Sequence, residues 1–160
     1  MDVILIVLVI ALVLFVPSFI TKRRFGLLGL ALAAGSLLSG IWGFDAGLIA
    51  SALGIPASPL TTALTLSFIV LLPPGILLFH GYTYKTFIGR AIGASLFTLL
   101  VLAFLIEPLG HVLMLHGIGN NIYNWLINYR TAIIGVGLII AVVDIFLTKP
   151  AHLADKHHKH

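Results

Sequence analysis

The sequence predicts an all-α fold: a polytopic helical membrane protein of about five transmembrane helices plus a short interfacial amphipathic helix, amino terminus outside and carboxyl terminus inside. Three observations carry that prediction. Of the 160 residues, 60% are hydrophobic and only 9% charged, where a soluble domain carries about 25% charged residues. The apolar residues come in long runs, and the mean hydropathy is +1.17. The basic residues sit in the short gaps between those runs, as the positive-inside rule requires of a chain threaded through a bilayer.

The first span is the uninterrupted apolar run from Val3 to Ile20, just long enough to cross a hydrocarbon core of about 30 Å. Asp2 precedes it, and Thr21, Lys22, Arg23 and Arg24 follow. That charge order is expected of a retained anchor rather than a cleaved leader. The second span, 26–44, opens at Gly26 and reaches the far side near Asp45. Pro56 and Pro59 end any continuation toward Gly54, because two prolines at this spacing cannot extend a helix.

The third span, 60–81, contains Pro73-Pro74-Gly75. Two missing N–H groups strand carbonyls near Ile69 and Val70, so a kink or break is expected there. The fourth span, 87–106, is expected to close at Glu107-Pro108, since the residue before proline is pushed out of helical geometry. In the stretch after it, Asn121, Asn124 and Asn128 share a helical face opposite Ile122, Trp125 and Tyr129. This pattern predicts a short helix lying in the interface, with rings at headgroup depth. The fifth span, 131–147, ends at Lys149-Pro150. Residues 1–148 thus read as one integral-membrane domain, and 149–160 as a basic, histidine-rich tail.

Five spans put Lys22, Arg23, Arg24, Lys85, Arg90, Lys149, Lys156 and Lys159 on the inner side and leave only Arg130 outside. Eight of nine basic residues on one side supports both the odd span number and the orientation.

Along the stretch from Gly26 to Gly54, Gly26, Gly29, Ala33, Ser36, Gly40, Gly43 and Gly47, continued by Ala50 and Gly54, form a seam at helical spacing. Small residues let helix backbones approach closely, a main source of association in lipid. Gly89 and Gly93 form a second close-approach site, for which the seam is the expected partner.

Few residues suggest chemistry. Thr61 and Thr65 on one face, the broken span at Pro73 and Pro74, and Asp144 near the inner end of the fifth span make a candidate transport or ion site, because broken helices line transporter sites. Asp144 also has Arg90, Lys85 and Lys149 as expected partners. Glu107 and Arg130 are a candidate ion pair at the outer surface. His80 is expected near one face and His111 and His116 near the other, so no shared metal or haem site follows. The absence of cysteine excludes thiolate chemistry. No phosphate loop, nucleophile elbow or metalloprotease motif occurs. No cofactor and no nucleic acid are therefore expected, and an enzyme is the least favoured class.

The opening helix, basic turn and small-residue-rich second helix loosely resemble the small colicin-V-production-type membrane proteins over roughly the first third of the chain. No function is transferred on that likeness. The expected role is a non-enzymatic packing or assembly subunit in the lipid bilayer, as a homo-oligomer or beside a larger membrane partner. The rival is a small transporter or channel component using the third span. A compact chain with basic inner loops suits a bacterial cytoplasmic membrane.

Overall fold

A computed structural model describes residues 3–43, 45–52, 54–56, 58–80, 83–84, 86–110 and 118–147. These fold into six helices: α1 (Val3–Thr21), α2 (Phe25–Ile41), α3 (Ala46–Ala52), α4 (Pro59–Leu77), α5 (Phe87–Gly110) and α6 (Ile118–Phe146). Three segments are long and apolar enough to cross a membrane, Pro59–Leu77, Phe87–Ile106 and Asn120–Phe146, and two shorter apolar helices cover Val9–Thr21 and Phe25–Ile41.

Local chemistry explains most boundaries. α1 stops because Lys22 takes a left-handed φ of 58°, a conformation that ends helices; the Thr21 hydroxyl donates to the Pro17 carbonyl at 2.8 Å. The second apolar run breaks after Ile41 into a turn closed by Asp45 N–H to Trp42 O at 3.1 Å. α3 ends in a Schellman arrangement: Ile55 N–H bonds Ala50 O, Gly54 N–H bonds Ser51 O, and Gly54 has a φ of +76°. α4 opens with a capping box: Thr61 N–H donates to Ser58 Oγ at 3.1 Å, and Ser58 N–H to Thr61 Oγ1 at 2.7 Å.

Two expectations are corrected and a third is narrowed. α4 is not broken at Pro73 and Pro74 but runs as a helix to Leu77. The carbonyl that Pro74 strands belongs to Val70, and it lies directly against Gly35 of α2. Because Gly35 has no side chain, the two backbones can meet there. α5 continues past Glu107-Pro108 to Gly110. A proline so near a helix end removes one bond where the following carbonyls lack helical partners in any case. Finally, the asparagine-rich stretch is not a separate interfacial helix but the start of α6. Neither proline nor glycine interrupts Asn120–Arg130, so nothing ends the helix before the apolar run.

α2 is the central element, packing chiefly on α4 and also on α6 and α5. The core joins Phe25, Leu28 and Leu32 of α2 to Val70 of α4, Phe97, Leu100, Val101, Phe104 and Leu105 of α5, and Ala141 of α6. The outside is also apolar, with Leu37, Ile41, Phe68, Ile139 and Phe146 among the exposed side chains. Close approach between helices falls at four glycines. A Cβ on Gly26 would strike the Ala141 carbonyl, on Gly29 the Ala141 side chain at 3.0 Å, on Gly35 the Val70 backbone, and on Gly137 the Leu100 side chain at 2.8 Å.

These contacts set a contrast within one helix. Gly35→Val is expected to lower stability by about 1–3 kcal/mol through overpacking, whereas Gly40→Ala, with nothing within 4 Å of its added Cβ, stays within about 0.5 kcal/mol of wild type. Thermal unfolding in a mild detergent reads both; equal effects would refute the close approach at Gly35.

Candidate functional site at the basic end of the bundle

The first N–H groups of any helix lack intrahelical partners, and α2 meets this need with side chains from elsewhere. Its N-cap residue, Arg24, is extended and makes no side-chain cap. Instead Phe25 N–H donates to Tyr84 Oη at 3.2 Å, and Gly26 N–H donates to Asp144 Oδ2 at 2.9 Å. The Tyr84 hydroxyl donates in turn to Asp144 Oδ2 at 3.1 Å. Two orphan donors, a phenol and a carboxylate thus close one hydrogen-bonded ring.

Electrostatics favour the arrangement from one side only. A carboxylate at the N-terminus of α2 is stabilised by that helix dipole, but Asp144 lies in the last turn of α6, where the dipole opposes it. Arg24 offsets the second effect. Its Nη1 lies 3.8 Å from Asp144 Oδ1 and donates to the Asp144 carbonyl at 3.4 Å. Its guanidinium also sits 5.4 Å from the centre of the Tyr84 ring.

Glycines make room for this cluster. Gly26 lets α2 reach the end of α6, while added Cβ atoms on Gly93 and Gly89 would lie 2.6 and 3.2 Å from the Tyr84 ring. The partner of Gly89 and Gly93 is therefore a tyrosine ring, not the α2 seam. Tyr84 is held by its own N–H to Lys22 O at 2.7 Å, beside the Arg23–Thr83 bridge. Burial first of all, reinforced by the Asp144 charge and opposed by the Phe25 bond and Arg24, pushes the phenol up to about 12. It remains a proton donor at any physiological pH.

The neighbouring cations serve other helix ends. Arg23 donates from Nε to Leu78 O at 2.9 Å and from Nη2 to Phe79 O at 2.6 Å, covering carbonyls just beyond α4, where a cation also suits the dipole. Arg90 reaches from α5 to Phe19 O of α1 at 3.1 Å. The ends of α1, α4 and α6 and the starts of α2 and α5 thus meet in one basic region.

The structure distributes the sequence candidates differently. Asp144 pairs with Arg24 rather than with Arg90, which is bonded to α1; Lys85 and Lys149 lie outside the described residues. Thr61 serves the capping box, and Thr65 Oγ1 donates to Thr61 O at 2.8 Å. Both lie near the start of α4, roughly 20 Å or more from the Leu78 end where Asp144 is found, so these residues do not converge. Pro74 is buried, and Pro73 is half-buried. Ala33 and Ser36 are half-buried, Gly40 and Gly47 have nothing within 4 Å of an added Cβ, and Gly43 meets only the end of α2. Arg130 Nε donates to Ala103 O at 3.2 Å; the Glu107 side chain, His111, His116 and the tail lie outside the described residues. No cluster of three metal-ligating side chains occurs among those described.

Tyr84, Arg24 and Gly35 are the contributors the sequence did not single out, and no motif marks them. Comparison with protein families, with curated proteins and with solved structures gave no match, so the site rests on its geometry.

Two outcomes test the ring. Asp144→Ala leaves Gly26 N–H and the Tyr84 hydroxyl without this acceptor and removes the carboxylate facing Arg24, and is expected to cost about 1–3 kcal/mol. The Tyr84 phenol lies above its ordinary 10.0 in the fold, so its contribution is complete below pH 10 and is lost as pH rises toward 12. Alkaline titration followed by circular dichroism should show Tyr84→Phe less stable at pH 8 but with a shallower loss between pH 10 and 12; parallel curves would refute the buried donor.

Proposed function

We propose that this chain is a small, non-enzymatic, multi-pass integral membrane protein that serves as a packing or assembly subunit. In this reading α1, α2, α4, α5 and α6 are five spans, the basic end faces the cytoplasm, and the membrane is a bacterial cytoplasmic one. The exposed apolar surface supports membrane residence, and the gathering of Lys22, Arg23, Arg24 and Arg90 at one end supports the orientation.

The observation that carries the assembly role is the division of labour along the small-residue seam. Gly26 and Gly29 are used against α6, whereas an added Cβ on Gly40 or Gly47 would have nothing within 4 Å among the described residues. Exposed Leu37, Ile41, Trp42 and Leu48 surround that open half. In lipid, a face of small residues rimmed by large apolar ones offers close packing to a second helix. A second copy of the chain or a larger membrane protein is the partner this face suits.

The transport reading has less behind it. Thr65, Ser67 and Thr98 spend their hydroxyls on carbonyls four residues back. The grooves beside α5 and α6, about 300 Å³, and along α4, about 600 Å³, have predominantly apolar linings.

Native mass spectrometry from nanodiscs is the direct test. Wild type is expected as a defined oligomer or complex, and Gly40→Ile with Gly43→Ile is expected to dissociate it while leaving the fold intact. An unchanged assembly state in the variant would remove the basis of this reading.

A further inference from the structure

Arg90 stands apart from its neighbours. It is the fourth residue of α5, in the first turn, where the helix dipole repels a cation. Arg24 faces the same repulsion at the start of α2 and has Asp144 against it. Arg90 has no such carboxylate among the described residues. Its Nη2 donates to Phe19 O, and its guanidinium lies 4.6 Å from the centre of the Phe19 ring, while the buried Nε has no hydrogen-bond acceptor among the described residues. On α1, next to Phe19, Ser18 is 2% exposed and its Oγ is likewise unpartnered. Buried polar groups are nearly always satisfied, so each exception calls for a missing partner.

The surroundings define what that partner would be. Lys22, exposed one turn beyond Ser18, and Arg23 and Arg24 add positive charge, against which Asp144 is the one described acid in the cluster. An anion is favoured, and a half-buried guanidinium with an unpartnered Nε–H suits a phosphate oxygen. Basic pockets between spans on the cytoplasmic side are places where anionic headgroups bind.

We propose that the α1–α5 corner, built on Arg90 and Lys22, binds the phosphate of an anionic phospholipid headgroup. This rests on the membrane reading above. The phosphate accepts from Arg90 Nε and offsets both its charge and the N-terminal dipole of α5. The Phe19 ring and carbonyl fix the orientation of the guanidinium. Lys22 adds a second, solvent-facing charge.

The experiment places purified protein in nanodiscs of phosphatidylcholine alone or mixed with phosphatidylglycerol and counts retained lipid by native mass spectrometry. Wild type is expected to retain phosphatidylglycerol in preference to phosphatidylcholine. Arg90→Lys keeps the charge but removes the Nε donor, and the preference should fall about tenfold, the value of a charge-assisted hydrogen bond. Lys22→Gln tests the same corner at an exposed side chain and should weaken the preference by a few-fold, while Lys159→Gln in the tail should leave it unchanged. Equal retention of the two lipids by wild type, or a preference indifferent to both Arg90→Lys and Lys22→Gln, overturns the proposal. Inorganic phosphate added to phosphatidylcholine discs separates the sources. Stabilisation that Arg90→Lys abolishes, without any phosphatidylglycerol preference, would support phosphate recognition but overturn the lipid as its source. Failure to enter either disc would instead refute the membrane reading, which the lipid comparison does not touch.

Discussion

The fold depends on how the first turn of α2 is satisfied. Phe25 and Gly26 begin the helix that packs on α4, α5 and α6, and their N–H groups point into a region where water is scarce. An unmet amide there costs far more than at a wet surface. The Tyr84 hydroxyl and the Asp144 carboxylate meet that need from the α4–α5 connection and from the end of α6. One ring of bonds therefore fixes three parts of the chain at a common level. It also couples their positions: sliding α6 by one residue along α2 would remove the carboxylate from Gly26 N–H and the guanidinium from its counter-charge together.

The glycines and prolines of the core work by the same accounting of backbone groups. Pro74 removes a donor in α4, leaving the Val70 carbonyl without its helical partner, and Gly35 supplies a surface thin enough for that oxygen to approach. Either residue alone would be a defect. Together they bring α2 and α4 closer than two leucine-lined helices could come, which accounts for the extent of that contact. Gly26 plays the corresponding part toward α6, where the Ala141 carbonyl fills the place of a side chain.

Hydropathy made the apolar helices legible, and the spacing of lysines and arginines made the basic end legible, because both depend on composition within short windows. The faces were harder to read. A run rich in glycine and alanine offers several seams, and spacing alone did not distinguish Gly35, which meets α4, from Gly40, which meets nothing among the described residues. The carboxylate of Asp144 was visible as an anomaly, but its pairing with Arg24 is a contact between residues 120 positions apart that no periodicity records. The local rule gave a kink or break at Pro73-Pro74 and a helix end at Glu107-Pro108, yet the helix continues through both. The asparagines before Arg130 suggested an interface helix, yet nothing in Asn120–Arg130 breaks the hydrogen-bond ladder.

α6 shows how a helix carrying charge can still present a membrane-length surface. Arg130 and Asp144 are fourteen residues apart, a rise of only about 21 Å, which is short of a hydrocarbon core of about 30 Å. Both side chains, however, are only partly exposed and turn toward neighbouring helices: Arg130 to the Ala103 carbonyl of α5, Asp144 to the start of α2. The outward face is drawn from other positions. Trp125, Tyr129, Val136, Ile139, Val143 and Phe146 are all exposed, and from first to last they cover about 32 Å at 1.5 Å per residue. The charges thus stabilise the inside of the bundle without shortening its apolar exterior, and the aromatic pair Trp125–Tyr129, with ring centres 5.3 Å apart, lies at the upper end of that face, where amphipathic rings suit the headgroup layer.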